Sequence, residues 1–136
     1  MRTLDRVQPF ALLVLRVILG VILLTHGKAK LFGGMAAHKH MVVAIGLPAW
    51  MGYLSSTTEF VGGILLILGL LTRLVGIAVV IEMLTVIFKI HFKRGMIGPG
   101  GYELPMLVGT VAFALFFFGS GPISLDWLFS TREHGK

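Results

Sequence analysis

The chain has 136 residues, of which 56% are hydrophobic and only 13% charged, with a formal net charge of +6. A soluble domain carries about 25% charged residues, so this composition excludes a water-solvated globule and points to a chain flanked by lipid. The positive balance does not indicate nucleic acid. Lys and Arg stand at the ends of apolar runs, where such residues anchor to headgroups, and no aromatic-basic platform for bases is present. There is no cysteine, which excludes disulfides, thiolate metal ligands and a thiol nucleophile within the chain.

Arg2 and Arg6 precede a long apolar run. The run is longer than a signal-peptide core and no small-x-small site follows it directly, so an uncleaved first span is expected. That span covers residues 10–31 with Arg16 inside it, and Gly33-Gly34 ends it. About 20 apolar residues cross the hydrocarbon core. Residues 35–49 are too short to span and too apolar to float in water, which predicts a short interfacial helix ending near Gly46 and Pro48. The second span covers residues 50–71 and the third 73–92, with only Thr72 and its neighbours between them, so a tight antiparallel hairpin is expected. A Gly-rich loop at 93–102 leads to a fourth span at 103–118, with Pro105 tolerated in its first turn. Gly119 to Pro122 ends it, and a polar tail follows. The expected fold is all-α: one membrane-embedded domain over residues 1–136, an antiparallel four-helix bundle with the interfacial helix between the first and second spans.

Four crossings place both termini on one side. That side carries Arg2, Arg6, Arg73, Arg132 and Lys136, and the other carries Lys28, Lys30, Lys39, Lys89, Lys93 and Arg94. The two sets are too even for the positive-inside rule to orient the chain.

Arg16, Glu59 and Glu82 lie deep in the spans, where a charge costs about 2.5–3.5 kcal/mol on insertion scales. Such groups pair, turn inward or serve function. Glu59 shares its helix face with Gly62 and Gly63, and Arg16 shares its face with Gly20 and Gly27. Small residues let another helix come close, so these faces are expected to pack inward. Glu82 shares its face with Ala78, Thr85 and Lys89. Two glutamates face one mid-depth arginine. If Arg16 pairs with one, the other must find Lys89 or a histidine, or take up a proton; one of the two is expected to be neutral. The alternative is that the charges are structural glue alone.

A second polar group gathers at the far end of the bundle. His26, Lys28 and Lys30 close the first span, Lys89 and His91 close the third, and Tyr102 and Glu103 open the fourth. They either ring the mouth of a cavity between helices or act singly as interfacial anchors. His38 and His40 point apart on a helix, and the i, i+4 His pair of helical metal sites is absent, so no metal is expected. The seven methionines scatter through apolar runs as packing residues.

The motifs, in order, are Arg16-x-x-x-Gly20, His26-Gly27-x-x-Lys30-Leu31-Phe32-Gly33, Glu59-Phe60-Val61-Gly62-Gly63, Gly69-Leu70-Leu71-Thr72-Arg73, Gly100-Gly101-Tyr102-Glu103-x-Pro105 and Gly121-Pro122-x-Ser124-Leu125-Asp126. Each is weak alone. Together, from about Leu12 to Asp126, the chain resembles the DoxX family of bacterial and archaeal membrane proteins. The resemblance implies a four-helix protein of the cytoplasmic (inner) membrane with cytoplasmic termini. It also implies a link to quinone-dependent sulfur oxidation or to oxidative-stress complexes. The positions it marks are Arg16, His26, Lys30, Glu59, Gly62, Gly63, Tyr102 and Glu103; Glu82 comes only from the cost of its charge.

Three functions fit. The first is a subunit of a membrane redox system in which a quinone enters the apolar bundle. A donor such as His26 or Tyr102 and a proton carrier such as Glu59 would serve it, with electrons from outside, since no haem, flavin or iron-sulfur motif is recognisable. The second is a non-catalytic anchor for a soluble redox or stress protein. The third is a proton or small-solute carrier, which needs a homo-oligomer because four short spans make a narrow bundle.

Overall fold

The computed structural model describes residues 7–133. Arg2, Arg6 and Lys136 lie outside these residues, as does the side chain of Arg132. Helix α1 runs Gln8–Ala29 with proline in its first turn, where a missing N–H costs nothing and the fixed φ suits a helix. A wide helical turn, Lys30–Gly34, joins it to α2, Met35–Ala44. The turn departs from helical geometry at Phe32 and Gly33. The Gly-Gly pair thus bends the chain as its sequence suggests, and the helix resumes at once. Gly46 then turns the chain with φ +82°.

Helix α3, Trp50–Leu68, ends at Gly69, whose left-handed φ of +68° lets the amides of Gly69 and Leu70 return to Leu66 and Leu65. Leu71 is also left-handed, at φ +52°, an uncommon state for a residue with a Cβ. Helix α4, Thr72–Val86, continues through Ile87–His91 and a tight turn at Phe92–Arg94. Helix α5 is Glu103–Phe118, the bounds expected of the fourth span. The tail does not stay irregular: Leu125–Glu133 forms a helix, α6.

Helix α1 packs along α3, α4 packs along α5, and α2 lies against α3. The core is Leu19, Leu23, Leu66, Val75, Val79, Met83, Val108, Ala112 and Leu115. Glycines set the spacing of α1 and α3. A Cβ on Gly20 would lie 2.8 Å from the Gly63 carbonyl oxygen, one on Gly63 would lie 2.6 Å from the Leu24 amide, and one on Gly27 would strike the Phe60 backbone. The inward faces inferred from glycine spacing are therefore the faces that meet.

The outside is apolar, with Phe10, Leu74, Ile81, Phe113 and Phe117 exposed. Among the described residues, three stretches, Gln8–Ala44, Trp50–Leu68 and Thr72–Arg94, are long and apolar enough to cross a membrane; Glu103–Phe118 is apolar and shorter. Its 16 residues reach about 24 Å against a core of about 30 Å.

Candidate functional site

Two polar clusters are buried. The first joins the end of α1, α2, α3 and α4. Lys30, in the wide turn after α1, places Nζ 2.7 Å from Oε2 of Glu59 on α3. Glu59 is 4% exposed. A carboxylate so placed needs a partner, and this cation is it. One turn before Glu59, Ser55 donates its hydroxyl to Oε1 of Glu82 on α4 at 2.5 Å. The Ser55 oxygen also lies 3.4 Å from Nε2 of His38 on α2. A hydroxyl has a single proton. With that proton on the Glu82 side, Ser55 accepts from His38, which then carries its hydrogen on Nε2. Oε2 of Glu82 is buried and accepts no hydrogen bond. Beside this line, Lys39 reaches the Tyr53 hydroxyl at 3.3 Å and stands over its ring.

The second cluster fastens the opposite ends of α1, α3 and α4 to the segment after α5. Arg16, 2% exposed, donates Nη1 to the Ser120 carbonyl at 2.6 Å and Nη2 to the Ile123 carbonyl at 2.8 Å. Asp126, at the start of α6, accepts from the Leu71 amide at 2.8 Å and the Thr72 amide at 3.1 Å, and its own amide donates to Gly69. These bonds hold Leu71 in its left-handed state and satisfy donors at the start of α4. Gly69 is close-packed as well: a Cβ there would lie 2.5 Å from Nη1 of Arg16.

The pairing of Arg16 with a mid-depth glutamate, one of the options open from the sequence, is not the one formed. Arg16 binds main-chain oxygens, and Lys30 takes Glu59. Among the described residues, His26, His91, Tyr102 and Glu103 make no hydrogen bond or ion pair to Glu59 or Glu82. His26 and Glu103 are exposed. His91 meets the Gly100 carbonyl through Nδ1, and Tyr102 stacks on Phe92 with centroids 6.4 Å apart. They organise the Gly-rich loop and its flanks. Sequence reasoning missed Ser55, His38 and Asp126 as members of these clusters. Ser55 did leave a signal, since it stands four residues before Glu59 and so shares its helix face.

The chain is similar to known proteins over most of its length. The DoxX family model matches residues 11–92. A Bacillus subtilis protein named "Putative oxidoreductase CatD" is 33% identical over 125 residues, 91% of each chain. An uncharacterized Haemophilus influenzae protein is 32% identical over 130 residues, covering 93% of this chain and 96% of that one. An uncharacterized membrane protein of Mycobacterium tuberculosis is 28% identical over 146 residues, 96% and 88% of the two chains. No solved structure matches. The family match spans more than half of the chain and the Bacillus relative nearly all of it, so this chain is a membrane protein of the DoxX family.

Proposed function

We propose that this protein is a quinone-linked subunit of a membrane redox or oxidative-stress system, folded as an antiparallel four-helix bundle in the cytoplasmic membrane with both termini on the cytoplasmic side. The observation that carries this reading is the line His38–Ser55–Glu82 beside the Lys30–Glu59 pair. The name of the Bacillus relative points the same way.

A bound quinone supplies the chemistry of taking two electrons from a reduced soluble partner and two protons from its surroundings to become a quinol. The chain's own residues are suited to the proton half. Ser55 links an imidazole to a carboxyl group: when His38 carries both ring protons, it passes the Nε2 proton to Ser55 as Ser55 passes its own to Glu82, leaving a neutral imidazole and a neutral carboxyl group, and the reverse shift carries the proton back. Glu59 is matched in charge by Lys30, whereas among the described residues the direct partner of Glu82 is a neutral hydroxyl. Glu82 is thus the group suited to hold the exchangeable proton, while Glu59 is engaged by Lys30. His38 on the short helix α2, half-buried, is placed to exchange protons with water or to donate to a quinone carbonyl.

Native mass spectrometry of protein extracted gently from its own membranes tests this. A retained quinone, together with a soluble redox subunit in fixed ratio, is the expected result. Protein carrying only lipid, alone or as a homo-oligomer, would overturn it.

A second reading rests on α6, where Trp127, Leu128 and Phe129 are all exposed. This short helix offers a surface on which a soluble partner could dock without any quinone. The same experiment separates the two: a soluble subunit retained with no quinone favours the anchor.

A further inference from the structure

Where α4 begins and α5 ends, the surface opens into a groove of about 660 Å³, lined by Leu71, Thr72, Arg73, Leu74, Phe118 to Pro122, Asp126, Trp127 and Ser130. Its floor and walls differ in chemistry. Arg73 is exposed, forms no ion pair among the described residues, and lies with its guanidinium near Gly119, where a Cβ would be 3.3 Å from Nε. Thr72 is wholly buried, lines the groove, and leaves Oγ1 without a hydrogen-bond partner. The carboxylate among the described lining residues, Asp126, already receives the Leu71 and Thr72 amides. The walls are exposed apolar side chains, Leu71, Leu74, Phe118 and Trp127, on helices whose outer faces run onward into apolar surface.

We propose that this groove binds one anionic phospholipid, with its phosphate on Arg73 and its acyl chains along the apolar faces of α4 and α5. Charge complementarity selects the headgroup. Arginine meets a phosphate with two parallel N–H donors, and Arg73 pairs with no carboxylate among the described residues. Thr72, with its unpartnered hydroxyl, lines the same groove. Position selects a lipid over a soluble anion. The groove lies at the end of a membrane-crossing helix, where headgroups are, and its walls are too apolar for a site serving a free ion. The proposal does not depend on the redox reading.

The test is lipid binding to the purified, delipidated full chain by native mass spectrometry. Phosphatidylglycerol, phosphatidylcholine and inorganic phosphate are titrated separately. One phosphatidylglycerol is expected to bind more tightly than phosphatidylcholine, and Arg73→Gln is expected to weaken it about tenfold, the effect of losing a charge-assisted contact. Arg94→Gln, at the other end of α4, should leave that affinity unchanged. Arg73 is exposed and makes no hydrogen bond or ion pair among the described residues, so its variant should keep the wild-type helical content. Equal binding by wild type and Arg73→Gln would overturn the proposal. So would an equal loss in Arg94→Gln, which would mean diffuse surface charge. Equal binding of the two lipids would remove the anionic preference, and binding of inorganic phosphate as tight as the lipid would make this a free-anion site.

Discussion

Lys30 and Glu59 form an ion pair at 2.7 Å with the carboxylate almost wholly enclosed and the lysine 26% exposed. The lysine stands in the wide turn that follows α1, and the glutamate is midway along α3, so one contact ties the bend of the first helix to its main packing partner. Lys30→Met should therefore strand a buried carboxylate. Removing one member of a fully buried pair costs about 3–5 kcal/mol. Lys30 keeps some contact with its surroundings, so about 2–3 kcal/mol is expected here. Glu59→Gln should cost less, because the amide needs no counter-ion and Lys30 can turn outward. Unfolding equilibria in detergent, run as a double-mutant cycle with Lys30→Met/Glu59→Met, check this; additive effects would show that the two groups do not interact.

Glycine sets how near α1 and α3 come. Gly63→Ala places a methyl group within 2.6 Å of both the Gly20 carbonyl and the Leu24 amide, which are backbone and cannot swing aside. The helices must part, at a cost of about 1–3 kcal/mol. Gly33→Ala is the control: nothing lies within 4 Å of its added Cβ, and its φ of 178° is open to any residue. Thermal unfolding in detergent should show a clear fall for the first and almost none for the second.

Arg16 and Asp126 both fasten the segment after α5, and each can be tested by itself. Arg16→Met removes two charged hydrogen bonds to carbonyls and leaves those oxygens without a donor, which is expected to cost about 2–4 kcal/mol. Arg16→Lys cannot span both carbonyls and should recover about half. Asp126→Ala uncovers the first amides of α4, for about 1–2 kcal/mol. Limited proteolysis should find residues 119–125 cut faster in all three, with Arg16→Lys the slowest.

The sequence made the apolar elements legible because a membrane imposes them. Sixteen to twenty-odd apolar residues with Gly or Pro at each end admit few alternatives, and the fourth element was placed to the residue. The burial of Glu59 was legible too, since Gly62 and Gly63 mark the face that another helix approaches. Its partner was not. Lys30 and Arg16 both belong to the first apolar span, and which of them reaches Glu59 depends on relative helix depth and on the wide turn at Lys30, neither of which hydropathy records. The partners of Arg16 were hidden for a related reason: they are main-chain carbonyls, and these carry no residue signature. The tail hid a helix because nine residues with a polar end look like any hydrophilic terminus until Asp126 is seen accepting from Leu71 and Thr72.

Ser55 is the link on which the proposed proton path depends, and it can be removed without touching either end. Ser55→Ala deletes a hydroxyl of a half-buried residue, so folded yield should change little, while the connection between His38 and Glu82 is lost. Quinone-coupled turnover with the native partner should then fall about 100-fold, the scale of one positioned proton-transfer group. Ser55→Thr keeps a hydroxyl and should restore most of it. Infrared spectra supply a readout that a structural role would not move. Wild type should show a protonated-carboxyl band that disappears in Glu82→Gln and persists in Glu59→Gln. A band lost in Glu59→Gln instead would exchange the roles of the two glutamates, and no such band at all would mean that Glu82 is ionised and that the His38–Ser55–Glu82 line serves packing, not proton transfer.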